Sequence, residues 1–497
     1  MAISPAVLRC AALVVGCLGL LLQGMAITFN AYQLALKQFF SLSQSQTEDI
    51  ASLGYVGVQL GLLPGWTYEK IGIRWNLVIG LVLGTGGYLF IFSSTYLADF
   101  YGKNHWLLAM YFFFVGLGGV FTGLTSMTPN LGNFHENHGG KIIGLLDSAF
   151  SLGSTLSAAT YAAAFINGHT NGDEAKQNIS GYFIMLASAS LVINVLCIIF
   201  VRVVPLSENA GKTPMSEVYS SKEFRYHELE VISDAEDESD LEYAQGELPS
   251  ENQGQGQSEG DTDRRINGND SREAVTMASE KTFPAILKDW DFHFILWVFM
   301  FCTTLQFMVV NNITVIVKAA NFASQAAIFP VLSPVVTTLT KFTMGVVSDA
   351  LIAKISRDSM LLVIIVIQTV TLIVCCVIPE EFASLVALTL SAAVANGTIY
   401  CLTPLLLVEH FGLKHFGVNW GFTMMFSSFA TVGVQKGFGK LYDYYGYTAK
   451  TGETLCYGSK CFQLSLIIAA VLSGCAVLFN VAIVQRRKRM ETIRREA

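Results

Sequence analysis

Twelve apolar stretches, divided six and six by one long acidic segment, constrain this chain more than any other feature. They cover residues 8–30, 49–67, 76–96, 105–128, 142–166 and 180–204, then 290–312, 323–347, 359–378, 384–408, 417–437 and 463–485. A bilayer's hydrocarbon core is about 30 Å thick, which about 20 apolar residues cross as a helix. Helices satisfy every backbone N–H and C=O internally, as a waterless core requires. The expected fold is an all-α polytopic membrane protein, with twelve transmembrane helices in two six-helix pseudo-symmetric halves. The domains follow: a bundle over 1–204, a cytosolic disordered acidic linker over 205–289, a second bundle over 290–485 and a basic cytosolic tail over 486–497.

Composition agrees. The 497 residues are 52% hydrophobic and only 14% charged, against about 25% charged in soluble domains. The net charge of −7 reflects the linker, where Glu228, Glu230, Asp234, Glu236, Asp237, Glu238, Asp240 and Glu242 crowd together. Such a segment buries too little apolar surface to offset its ordering entropy. Basic residues sit at segment ends rather than on one face, which excludes a nucleic-acid partner. The first apolar run lacks a small-residue cleavage site before its polar end and reads as a retained helix. Lys70, Arg74, Lys141, Lys354, Arg357, Lys414 and the run Arg486–Arg489 share one side with the termini. That bias makes this side the cytosolic one.

Eight of the ten cysteines fall in or beside apolar stretches, where they act as small packing residues. Cys456 and Cys461 share a polar loop on the opposite side, where a disulfide persists. In the linker, Tyr226-His227-Glu228-Leu229 fits a sorting signal, and Ser233 has the acidic context of a kinase site. Sorting and kinase proteins are therefore expected partners there. Asn178-Ile179-Ser180 is a glycosylation sequon hard against the sixth stretch. Asn269-Asp270-Ser271 is a second, on the cytosolic side.

The second stretch ends Gly65-Trp66-Thr67-Tyr68-Glu69-Lys70-Ile71-Gly72-Ile73-Arg74. The eighth, its counterpart, ends Gly345-Val346-Val347-Ser348-Asp349. Glycine lets two membrane helices approach closely. An acid one turn later sits at the cytosolic mouth, where it meets the positive N-terminus of a neighbouring helix. Such a contact holds one state closed and breaks in another. Glu409 and Lys414 flank the turn after the tenth stretch and join this gate.

The decapeptide, the twelve stretches and the long central segment together resemble the major facilitator superfamily. A narrower set resembles its nodulin-like branch and the fungal monocarboxylate-transporter-like proteins. The set comprises Phe29-Asn30-Ala31-Tyr32, Ala35-Leu36-Lys37, Ser43-Gln44-Ser45-Gln46, Gly61–Gly65, Asn130–Phe134, Gly140–Leu146, Glu409–Gly417, Tyr442-Asp443 and Cys456–Cys461. The resemblance implies a solute carrier that works by alternating access, with substrate held near the midplane between the halves. In that superfamily helices one, four, seven and ten line the cavity. This assigns Gln23, Thr125, Gln306, Asn311, Asn396 and Tyr400 as candidate substrate residues. The branch's usual Gly-Arg in the eighth helix stands here as Thr340-Lys341.

Lys341 lies eight residues before Asp349, about 12 Å in from the mouth. A charge at that depth is expensive and marks a functional site. The bland alternative is that it snorkels to the cytosolic interface or pairs with an acid in the gate. Asp147, early in the fifth stretch, is a separate candidate, for pairing with a basic residue at the gate or for proton coupling. The expected substrate is a small polar organic solute, carboxylate or amino-acid-like, with a coupled proton as a second partner and the bilayer as solvent. No cofactor and no resident metal are expected. His135 and His138 were the nearest metal candidates, and they sit in a cytosolic turn. A receptor or scaffold signalling through the linker, a carrier of metal-linked cargo, and a lipid-modifying enzyme are the alternatives. The enzyme lacks a nucleophile with a base, and ATP-driven transport lacks a Walker sequence. A plasma-membrane home is expected first, a lysosomal or other endomembrane one second.

Overall fold

A computed structural model describes residues 4–134, 138–166, 177–204, 283–448 and 454–496. The first half comprises α1 (Pro5–Met25), α2 (Gln44–Gln59), α3 (Leu62–Ser94), α4 (His105–Gly132), α5 (Gly139–Ala164) and α6 (Ile179–Phe200). The second half comprises α7 (Trp290–Ala319), α8 (Phe329–Leu351), α9 (Arg357–Val377), α10 (Phe382–Phe411), α11 (Phe416–Tyr445) and α12 (Gln463–Glu496). Local chemistry sets the ends. Ser4 accepts a hydrogen bond from the Val7 N–H and Pro5 opens α1. Ser43 and Gln46 form a reciprocal capping box at α2.

Ten described segments are long and apolar enough to cross a membrane by themselves. The other two crossings are made differently. The second is split: α2 stops at Gln59, and the chain restarts at Leu62 with Pro64 in the first turn. Proline fits a first turn and breaks a helix interior. The crossing continues in α3 as far as Gly72, whose φ of +79° reverses the chain. Only glycine enters that region without strain. The third crossing is the rest of α3. The eleventh is α11, whose apolar run is interrupted by Asn419, Gln435, Lys436 and Lys440. Both termini therefore lie at one end of the bundle, called the termini end below.

Three expected boundaries move. The eighth helix begins at Phe329 rather than 323, because Ala326–Ile328 forms a 3₁₀ turn and proline occupies the opening turn. The second bundle begins before 290, since Phe283–Ile286 is a helical turn with Ile286 fully buried against the core. The basic tail is the continuation of α12 to Glu496. Its Arg, Lys, Met and Glu are good helix formers. The sorting motif, Ser233, the Asn269 sequon and His135 lie outside the described residues.

The Asn178 side chain caps α6, accepting from the Gly181 N–H at 2.8 Å, which leaves it pressed to the helix start. The loop before α12 carries a short antiparallel pair, β1 (Tyr447–Thr448) with β2 (Thr454–Leu455). Cys456 and Cys461 are joined as a disulfide. The loop docks on the bundle through Gly458 N–H to Ala319 C=O (2.8 Å) and Ser459 N–H to Glu380 Oε1 (2.7 Å). Replacing both cysteines by alanine should cost about 2 kcal/mol, the entropy of a loop this short. A melt of the purified variant checks it, and an unchanged melting temperature refutes it.

Candidate functional site

The halves meet along two antiparallel helix pairs. In one, α5 lies on α8: a Cβ added at Gly345 would stand 2.3 Å from the Gly140 carbonyl, and one at Gly144 2.7 Å from the Lys341 carbonyl. In the other, the last part of the second crossing lies on α11: a Cβ at Gly65 would stand 2.3 Å from the Gly417 carbonyl, and one at Gly421 2.1 Å from the Gly61 carbonyl. Backbone this close leaves room for no side chain at the crossing point.

An acid closes each pair at the termini end. Asp349 accepts from the Gly140 N–H through one oxygen and the Lys141 N–H through the other, both at 2.8 Å. It thereby caps the N-terminus of α5, where unpaired donors and the helix dipole favour a negative charge. Glu69 instead reaches the ring of His415, the residue that opens α11, at 2.9 Å. Lys70, Arg74 and Lys414 are exposed around this mouth.

Asp349 is itself held. Arg357 reaches it at 2.8 Å and also grips Glu409. Arg487 bridges Asp358 (2.7 Å) and Glu409 (3.3 Å), and His410 stands 3.6 Å from Asp358. The network ties α8, α9, α10 and α12 into one block. Sequence reasoning took Arg357 and Arg487 for cytosolic topology charges, met His410 only within a family motif, and passed over Asp358. Their separation along the chain hides a cluster that only the topology assembles.

Deeper in the α5–α8 seam, Lys341 is 3% exposed. Its ammonium lies 2.8 Å from Asp147 Oδ2, a Coulombic contact off the line of a good hydrogen bond. It donates to Ser151 Oγ at 2.9 Å. The rings of Phe150 and Tyr400 flank it, with centroids at 5.4 and 5.1 Å, a distance at which a ring face attracts a cation. Asp147, Phe150 and Ser151 belong to the first half, Lys341 and Tyr400 to the second. Spacing along α5 puts 147, 150 and 151 on one face, a signal present in the sequence and unused.

The remaining candidates scatter. Thr125 accepts from Asn76 Nδ2 at 2.7 Å, and Asn76 also donates to the Pro64 carbonyl, so Asn76 ties three crossings together with Thr125 as one partner. Gln23 packs over Gly119 and Gly123 between α1 and α4. Asn311 is exposed and Asn396 half-buried. Gln306 is fully buried with neither amide atom hydrogen-bonded, and Asn419 shares that condition. A buried amide without a partner marks a place for water or ligand. Among the described residues no three His, Cys, Asp or Glu group as a metal site would require. His138 opens α5 beside Lys141, 3.5 Å away.

Paired six-helix halves joined along glycine-lined seams, with a buried charge in one of them, fit a membrane transporter. Residues 14–434 match the Major Facilitator Superfamily, and the chain belongs to that family. Solved structures share the fold. The Escherichia coli fucose:proton symporter FucP, in an outward conformation, is 14% identical with a TM-score of 0.59 over 95% of this chain and 98% of that one. The proton:xylose symporter XylE is 15% identical with a TM-score of 0.56 over 96% of each chain. A bacterial homologue of the iron transporter ferroportin, outward-facing, is 12% identical with a TM-score of 0.58 over 96% and 99%. No curated protein matches the chain by sequence.

Removing one member of a buried ion pair strands the other charge, at a cost of about 3–5 kcal/mol. Asp147→Asn should therefore destabilise the protein by about that much, and the double variant Asp147→Leu with Lys341→Met should recover most of it. Denaturation of the wild type, the single variant and the double variant compares the three stabilities. Equal loss in single and double variants would mean that the two side chains do not act as a pair.

Proposed function

We propose that this transporter moves a small organic solute bearing a carboxylate, with Lys341 as the group that binds it. The observation that carries the reading is the Lys341–Asp147 pair, placed where the two halves touch and where any rocking motion must open. A lysine buried there is costly unless its charge has a use. In the state closed at the termini end, Asp147 and Ser151 occupy the ammonium. A substrate carboxylate arriving from the far end competes for it, and Asp147 is then left free to take a proton. Tyr400 and Phe150 give the organic part of the solute an apolar wall, and the unsatisfied amide of Gln306 on α7 offers a neutral contact. Resemblance to the nodulin-like and monocarboxylate-transporter-like proteins points the same way, and FucP and XylE, which share the fold, are proton symporters, in keeping with a proton on Asp147. The latch at Asp349 and Glu69 weighs against a static receptor, which has no need of contacts placed to break.

Proteoliposomes supplied with radiolabelled carboxylates, amino acids and neutral sugars test the reading. Saturable uptake of a carboxylate is expected, reduced roughly 10- to 100-fold by Lys341→Gln through loss of a charge-assisted hydrogen bond. Uptake confined to uncharged solutes, or wild-type uptake in Lys341→Gln, would rule it out.

A further inference from the structure

Away from the seam, a groove of about 470 Å³ opens on the surface of the second half, lined by Lys288, Trp290, His293, Phe294, Trp297 and Phe479. Its wall and its mouth differ in chemistry. Trp290, Phe294, Trp297 and Phe301 recur on one face of α7, over about 16 Å of helix. Phe479 of α12 stacks on Phe294 and Phe301 at 5.9 and 6.1 Å, and Trp297 leans on Phe426 of α11 at 5.7 Å. The opposite face of α7, with Phe292, Ile295, Leu296 and Phe299, fills the core. The aromatic ladder therefore faces outward, toward lipid.

The mouth is cationic. Lys288 is exposed just before α7. Arg486 follows Phe479 by two turns of α12, is half exposed, and meets Asp291 at 2.6 Å. Lys488 and Arg489 continue the run. Asp289 is turned into the cap of α7, accepting from the Asp291 N–H. Counted along the approach to α7 and this end of α12, Lys288, Arg486, Lys488 and Arg489 outnumber Asp289 and Asp291. Trp290, the first residue of α7, marks the level of the membrane interface, where tryptophan concentrates.

We propose that this groove binds one anionic phospholipid, with an acyl chain along the aromatic ladder and the phosphate at Lys288 and Arg486. A free anion has no use for the ladder, and a zwitterionic lipid gains little from the excess of cations. Basic clusters at the membrane surface favour anionic headgroups, and here the cluster stands directly above a chain-sized slot. The site also adjoins the gate. Arg486 precedes Arg487, which holds Asp358 and Glu409 in the network carrying Asp349.

Tryptophan quenching by brominated lipids tests the assignment, using the full chain in nanodiscs of phosphatidylcholine with a fixed fraction of brominated phosphatidylserine or brominated phosphatidylcholine. Trp66, Trp75 and Trp106 are also exposed, so the signal is the difference between the two lipids. Excess quenching by the serine lipid is expected. It should disappear in Trp290→Phe with Trp297→Phe. It should need about fivefold more anionic lipid in Lys288→Gln, one surface charge being lost. Lys288 is exposed, so this variant leaves folding intact. Equal quenching by the two lipids would reduce the groove to ordinary lipid contact and overturn the proposal. Full displacement of the excess by water-soluble glycerophosphoserine would overturn it in favour of a headgroup site without a chain.

Discussion

The carboxylate of Asp349 against the bare N-terminus of α5 is the contact on which the rest of this arrangement turns. It satisfies two backbone donors of the first half with a side chain of the second. A helix N-terminus leaves several backbone donors without an intrahelical partner, so the closed termini end gains more than packing. The acid can serve this way only because Gly345 and Gly140 bring the two backbones together. Arg357 keeps the carboxylate aimed, and Glu409, Arg487 and Asp358 keep Arg357 in place. The contact is localised in one side chain, as the proposed role of a latch requires.

The two seams are repeats of one design, and their differences are informative. Gly65 and Gly345, Glu69 and Asp349, and Gly61 and Lys341 are each separated by 280 residues. His138 and His415, which open α5 and α11, are separated by 277, as are Gly140 and Gly417, and Gly144 and Gly421. Each seam is a crossing of two pairs of small residues, except that one glycine has become Lys341. Its main chain still makes the close approach, to Gly144, while its side chain turns toward Asp147 and Ser151. The repeat thus supplies two hinging surfaces, and a single departure from it supplies a charge. The two latches differ as well. Asp349 binds backbone, which does not titrate, whereas the longer Glu69 binds a histidine.

Much of this was legible in the chain. Twelve apolar runs with a polar linker fix a membrane bundle, because no other structure satisfies so many backbone groups in lipid. Gly65, Glu69, Gly345 and Asp349 announced the seam through a spacing that only close helix crossings require. Three-dimensional choices were less visible. Thr125 and Gln23 belong to cavity-lining helices by number, yet their side chains point at neighbouring helices, since the inward face of a helix that is apolar all round has no periodic signal. The pairing of Arg357, Asp358, His410 and Arg487 escaped because they belong to three separate helices and meet only on folding. The break at Leu60–Gly61 was hidden inside one continuous apolar run, although Pro64 marked it.

The account's central claim is that the termini end is closed by contacts built to open. Spin labels on Arg74→Cys and Lys354→Cys, exposed residues of the two halves at that end, report it by pulsed electron resonance in a background lacking the eight free cysteines. A second pair, Lys103→Cys and Lys318→Cys, reports the far end. Asp349→Asn removes the charge that caps α5. The account predicts longer distances at the termini end and shorter ones at the far end, with the two changes rising together. Distance distributions at both ends that ignore Asp349→Asn would contradict it, and would make the seam a fixed structural joint.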